Sequence, residues 1–441
     1  MSGSRTGQSK ELRNRILYVL LILAVYRVGV HIPTPGVDTG VLAEFFTRYE
    51  NTLLGLFDMF SGRALSQFSI FAMGIMPYIS ASIIIELLTV VWPHLHRLKK
   101  EGGQQGRRKL NQYSRYLTVG LSLFQGFMLA VGLERMQMSE TASVVIEPGL
   151  YFRLMTMLTL AAGTCFIMWL GEQITERGIG NGISLIIFAG IVEGLPSAIG
   201  DVFSDVQAGD QSVLRMAFLV AGMVAIVCGV VFCERAQRRI PIQYAQRVVG
   251  RNVMGGRSTH LPLKLNPAGV IPPIFASSLI MFPATIGQFV DNQTIQGMTE
   301  WLNRGNWLYN VIYVALIVFF CYFYTGVQFN PTDVAENMQK NGGFIPGILP
   351  GAKTAEFIDR VLTRVTLWGA LYVSVICLLP SLVSRYFNVS FYFGGTALLI
   401  VVGVALDTIS QIYTLVVNQQ YAGLLKKGLS GVGKIQPRRR L

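Results

Sequence analysis

The residues of this 441-residue chain that could do chemistry fall short of any complete catalytic set. His94 and His96 stand two apart in a basic stretch, but a metal site needs further Cys, His or carboxylate donors at ligand spacing, and none lies beside them. His31 and His260 are isolated in sequence. Gly178, Gly180 and Gly182 in "ERGIGNGISLII" have the spacing of a phosphate loop, yet no strand pattern precedes them and no Lys-Ser or Lys-Thr follows. Their expected role is to let helices approach closely. The serines have no matched base, and neither HExxH nor GxSxG occurs. Cys165, Cys228, Cys233, Cys321 and Cys377 form no CxxC pair and lie in or beside apolar runs, where thiols pack as small hydrophobes. The sequence therefore argues against an enzyme, and no cofactor or metal is expected.

What remains is a spacing of aliphatic side chains. Ile75 and Ile79 stand four apart, as do Ile183 and Ile187, which puts each pair on one face of a helix. Spacing alone does not separate a functional face from one that meets lipid or core, so the elements that carry these pairs have to be found.

The chain is 51% hydrophobic and 14% charged, the balance of a polytopic membrane protein. Apolar runs long enough to cross a hydrocarbon core of about 30 Å fall near 16–32, 68–92, 113–132, 151–171, 181–198, 213–233, 268–290, 308–329, 366–384 and 391–416. They are continuous rather than alternating, so the expected class is an all-α polytopic membrane protein and not a β-barrel. The basic N-terminus leads into the first run without a small-residue cleavage site, which reads as an uncleaved span.

Charge orients these spans. Arg97, Lys99, Lys100, Arg107, Arg108, Lys109 and Arg115 lie between spans 2 and 3 with Glu101 as the one acid. Arg235, Arg238, Arg239, Arg247, Arg251, Arg257 and Lys264 lie between spans 6 and 7 against Glu234. A tail with Lys426, Lys427, Lys434, Arg438, Arg439 and Arg440 ends the chain, whereas Asp201, Asp205 and Asp210 follow span 5. The positive-inside rule then puts both termini and the basic loops in the cytoplasm, and anionic lipids are expected against them. Ten spans divide into two sets of five, and the odd number makes the second set enter from the opposite side, giving inverted halves with a functional path between them. The expected organisation is an N-terminal segment 1–15, a first half 16–200, a second half 201–417 with long cytoplasmic loops 234–267 and 330–365, and a basic tail 418–441.

Two features need more than a bare span. Residues 51–68, "NTLLGLFDMFSGRALSQF", offer an apolar face too short to cross. Irregular backbone at membrane depth must pack in protein or line a watery cavity, so this is either a cavity-filling segment or an interfacial helix. The loops 234–267 and 330–365 are longer than topology requires and look built to reach a cytoplasmic partner; excess positive charge would suit the first to RNA phosphate.

Several stretches together resemble the SecY family, the central subunits of bacterial protein-conducting channels: "FAMGIMPYISASIIIELLTVV" (71–91), "MWLGEQITERGIGNGISLIIFAGIV" (168–192), "STHLPLKLNPAGVIPPIFASSLIMFPATI" (258–286) and "FYFGGTALLIVV" (391–402). The resemblance implies ten transmembrane helices in two inverted five-helix halves around an hourglass pore that passes unfolded secretory chains and releases transmembrane segments sideways into the bilayer. It implies a pore ring of Ile75, Ile79, Ile183, Ile187, Ile274 and Ile400, whose apolar lining would dewet and block ions. It implies a plug over 51–67 with Leu53, Leu54, Leu56, Phe57, Met59, Phe60, Ser61 and Gly62. A lateral gate would run between spans 2 and 3 and spans 7 and 8, with Ser80, Glu86, Gln125, Asn266, Phe282 and Ile286. Partner contacts would fall on Arg238, Arg239, Arg247, Arg251, Arg360 and Arg364. The implied partners are SecE-like and SecG-like subunits, the SecA motor ATPase, the ribosome, signal sequences and nascent polypeptides, all at the bacterial inner membrane. Two positions depart from the family pattern. Leu349 in "PGILPG" replaces an arginine, and Glu86 stands where glutamine is common; buried in a membrane, Glu86 is expected to be protonated, near the cytoplasmic end of its helix, or bonded to Gln125 or Asn266. The rival reading, a secondary transporter with inverted repeats, would have to couple through Glu86 and Asp407.

Overall fold

A computed structural model of the chain describes residues 3–42, 58–59, 61–135, 137–139, 142–207, 213–244, 247–249, 252–254, 258–289, 307–387 and 395–432. Among these, ten helices of 16 or more residues overlap the ten apolar runs. The first half holds α1 (Gly3–Val30), α2 (Met76–Val91), α4 (Gly103–Arg135), α5 (Leu150–Arg177) and α6 (Gly182–Gln207), with a short α3 (Pro93–Glu101) after α2. The second holds α7 (Val213–Arg235), α8 (Ile271–Phe289), α9 (Trp307–Gln328), α11 (Ala352–Phe387) and α12 (Gly395–Val432), with a short α10 (Pro331–Lys340) after α9.

Five described stretches, Gly103–Glu134, Leu150–Arg177, Trp307–Lys340, Ala352–Leu379 and Gly395–Asn418, are by themselves long and apolar enough to cross a bilayer. The pair α2–α3, bent by 97°, adds a sixth if taken as one span. Outward faces of the helices carry Leu17, Leu20, Leu21, Leu158, Val224, Val311 and Leu371 in the open. Such continuous apolar surface suits lipid and not water.

The second run is helical only from Met76, so the expected span 68–92 is corrected. Residues 62–75 form turns in which Thr34 N donates to Phe68 O, Ile70 N to Ile32 O and Ser69 N to Ala64 O. Phe71 stacks on Tyr26 and Phe166, with ring centroids 5.9 and 6.0 Å apart. Protein on every side meets the backbone needs that a lipid-exposed segment would have to meet with a helix. The helix then starts with Pro77 in its first turn, where the missing N–H costs nothing.

The loops 234–267 and 330–365 hold strands, which the sequence reading did not anticipate. β3 (Gln237–Tyr244) pairs antiparallel with β6 (Ser258–Lys264), with Ile240 opposite Leu261 and Arg238 opposite Leu263. The two-residue β7 (Gly343–Phe344) pairs with the other edge of β3, Gln243 opposite Phe344. Short hairpins β1–β2 (Gln137–Ser139, Ala142–Ser143) and β4–β5 (Arg247–Val249, Asn252–Met254) decorate the loops. Ile240, Ile242, Leu263, Met338, Ile345 and Ile358 bury a small core between the sheet, α10 and the start of α11. α10 is capped by Asn330, whose Oδ1 accepts from Thr332 N at 3.1 Å, with Pro331 following and Lys340 in the last turn.

Candidate functional site at the junction of the two halves

Among the described residues the halves meet chiefly in two zones. In one, α8 packs on α2 and α4, and Ser278 Oγ lies 4.0 Å from Met76 Sδ. In the other, α12 packs on α6, and Gly180 N donates to Gln411 Oε1 at 2.9 Å. One apolar cluster is continuous through the cores of both halves and across their junction.

That cluster contains Ile75, Ile79, Ile187, Ile274 and Ile400, all buried, with half-buried Ile183 packed against it. Ile75 caps α2 and its carbonyl accepts from Ile79 N at 3.1 Å, so the first pair is stacked by the opening turn of the helix. Ile183 and Ile187 lie in the first two turns of α6, Ile274 in the first turn of α8 and Ile400 in the second turn of α12. The six isoleucines thus come from four helices near their starts. Gly182 sets the approach of α6: a Cβ there would come within 1.9 Å of Gly171 O, so glycine permits the close packing expected from the sequence.

Leu53, Leu54, Leu56, Phe57 and Phe60 lie outside the described residues; Met59, Ser61 and Gly62 are buried. Asp58 folds the segment on itself, since its Oδ1 accepts from Leu65 N at 3.0 Å and Ser66 N at 2.8 Å, and its carbonyl accepts from Ser61 Oγ at 2.9 Å. Burial pushes its carboxyl up to about 6, against the opposing pull of the hydrogen bonds from Ser66 and Leu65 and of the Arg63 charge. Tyr26 Oη donates to Ser61 O at 2.9 Å and Arg27 Nη1 to Gly62 O at 3.3 Å, while Arg27 Nη2 pairs with Glu193 of α6. His31, isolated in sequence, lies 3.1 Å from Gln67 Oε1 through its Nδ1. Contacts across 35 residues leave no local pattern, so sequence reasoning did not find Tyr26, Arg27 or Glu193.

Glu86 is half-buried on α2 and pairs with Lys99 at 3.3 Å, not with Gln125 or Asn266. The 97° bend at Trp92 folds α3 back and delivers the ammonium, because Glu86 sits close to the end of its helix. Asn266 is buried and donates to Glu234 Oε1 at 3.0 Å and Gly269 O at 2.8 Å, fixing the approach to α8. Ser80 and Gln125 are half-buried; Phe282 and Ile286 fall within α8, their side chains outside the description. Arg238 and Arg239 are exposed on β3, Arg360 pairs with Glu356 at 3.2 Å, and Arg364 is exposed. The side chain of Arg247 and the whole of Arg251 lie outside the described residues. Leu349 is 73% exposed, with its carbonyl held by Thr354 Oγ1 at 2.9 Å, so the departure from the family changes the surface and not the course of the turn. Cys321 and Cys377 are buried and Cys165 and Cys233 half-buried, but Cys228 is exposed, correcting the expectation of uniformly buried thiols: it lies on the outward face of α7. Among the described residues no three His, Cys, Asp or Glu stand together as metal donors.

A membrane protein of two helical halves that meet along α2, α4 and α8, with one apolar core running through both, has the architecture of a channel. The SecY family profile covers residues 69–409, and the chain belongs to that family. It is 50% identical over 436 residues to "Protein translocase subunit SecY" of Escherichia coli K12, covering 98% of both chains. It is 47% identical over 418 residues to the protein of that name in Aquifex aeolicus, covering 95% of this chain and 97% of that one. Among solved structures it is similar to one described as a protein conducting channel, with a TM-score of 0.66 at 15% identity over 92% of this chain and 93% of that one. It is also similar to Sec61 in the canine ribosome-channel complex, with a TM-score of 0.62 at 14% identity and the same coverage. The family is one of translocation channels, not of enzymes.

Proposed function

We propose that the chain is the channel subunit of a bacterial protein translocase: it passes unfolded secretory polypeptides across the inner membrane and releases transmembrane segments through the α2/α8 seam. The observation that carries this is that Ile75, Ile79, Ile187, Ile274 and Ile400, with Ile183 packed beside them, share the one apolar core that runs from the first half into the second. An apolar constriction excludes water and ions without a binding site, and it grips no particular peptide chemistry, so chains of any sequence can slide through. Met59, Ser61 and Gly62, buried in the first half, would be part of the plug.

With both termini cytoplasmic, α2 runs inward from the ring and α6 and α8 run outward from it. Each starts after irregular backbone, which leaves room for a funnel on the side where the helix is missing. The sheet β6–β3–β7 then faces the cytoplasm with Arg238, Arg239, Arg360 and Arg364, where a SecA motor or a ribosome would dock. SecE-like and SecG-like subunits would complete the complex, and anionic lipid would meet the basic loops. Solved relatives of the fold include ribosome-bound channels, which supports the ribosome as a partner. A stalled secretory chain carrying a photoreactive residue opposite position 79 should crosslink to this chain there; adducts to lipid alone would overturn the pore assignment. Replacing Ile79 and Ile187 by glycine should raise resting ion conductance in planar bilayers about tenfold and let weak signal sequences through.

A further inference from the structure

The segment 58–66 is fastened to the first half through a small polar contact that the apolar ring does not explain. Two neighbouring residues of α1 donate to two neighbouring carbonyls: Tyr26 to Ser61 O and Arg27 to Gly62 O. The other arm of the guanidinium pairs with Glu193, whose second carboxylate oxygen is buried and has no hydrogen-bond partner. Glu193 therefore spends its charge on Arg27. Gly62 has φ +70, and a Cβ there would stand 2.9 Å from Gly190 Cα and 3.1 Å from Tyr26 Oη, so the backbone is seated directly on α6. Within the segment, Asp58 binds the amides of Leu65 and Ser66, so the part that is fastened is already folded on itself.

We propose that Arg27, held in place by Glu193, is a positioning residue that latches the segment 58–66 in the closed channel, with Tyr26 as its second point of attachment. The inference rests on the reading of 51–67 as a seal. Both helices that hold the latch, α1 and α6, belong to the same half, whereas the seam is formed by α2 and α4 of that half against α8 of the other. The polar attachment is therefore made within one half, while Met59 and Ala64 of the segment pack in the apolar cluster that both halves share.

The test uses the whole translocase complex in planar bilayers, with export of a reporter bearing a defective signal sequence as a second readout. Arg27→Gln should raise resting conductance about tenfold, the change in equilibrium expected on losing a charge-assisted hydrogen bond, and should permit export of the reporter. Tyr26→Phe should do the same more weakly. The reversed pair, Arg27→Glu with Glu193→Arg, keeps the ion pair but removes the donor to Gly62 O, so it should stay leaky; a purely structural ion pair would be rescued by the exchange, and parental conductance in the reversed pair would overturn the latch. Folding is checked by protease resistance, and if Arg27→Gln fails it, Arg27→Lys and Glu193→Gln replace it. A folded Arg27→Gln with parental conductance, alongside a leaky deletion of 53–65, would overturn the latch and leave the seal standing. A silent deletion would overturn both.

Discussion

Asp58 carries a pH dependence with a definite sign. Its folded carboxyl is raised from 3.8 to about 6 by burial, so the folded segment binds its proton more tightly than the unfolded chain does. The stability it contributes is complete below about 3.8 and is lost as pH rises through about 6. The closed channel should accordingly leak several-fold more at pH 7.5 than at pH 5, and Asp58→Asn, which keeps an oxygen for the Leu65 and Ser66 amides, should flatten that profile; equal slopes in conductance against pH would refute it. None of this was legible from sequence. The isoleucine pairs were, because a four-residue spacing is a local signal, but their joining with Ile274 and Ile400 depended on resemblance. Glu86 lies near the end of its helix, one of the three expected arrangements, and its partner is Lys99 and not Gln125 or Asn266, because a bend between helices decides which charges meet, and Trp92-Pro93 announces a break without giving its angle.

Among the elements, hydropathy located ten helices to within a few residues at most ends, since a bilayer-length apolar run has few alternatives. It failed at 68–75, where apolar residues pack as turns against α1 and α5, and it gave no hint of the sheet. β3 shows only Ile240 and Ile242 inward, with Pro241 between them, and β6 carries Pro262, so the alternation is too short to read. The sheet depends instead on the small core it shares with α10 and α11. Ile358 is fully buried there, and Ile358→Ala should cost about 3 kcal/mol of that unit's stability. The measurable result is faster proteolysis within 234–267 and 330–365 while the membrane helices stay protected, together with weaker binding of the motor; unchanged proteolysis would show that the sheet does not need this core.

At the scale of the whole molecule, counting ten spans gave two halves, and the structure supplies two places where their described residues touch. Met76 and Ser278 mark the seam. In a chain freed of its own cysteines, Met76→Cys with Ser278→Cys joined by a short thiol crosslinker should block release of transmembrane segments into lipid and restore on reduction; release at the uncrosslinked rate would mean the exit lies elsewhere. On the far side, Gly180 and Gln411 tie α6 to α12. The strand β7 sets a timetable for synthesis. Gln243 pairs with Phe344, which leaves the ribosome about a hundred residues later, after α8 and α9 have been made. Until then one edge of β3 is unpaired and open to wrong partners. Closing that edge is a late event of biogenesis, and it can happen only once the helices between the two strands have returned the chain to the same side of the membrane.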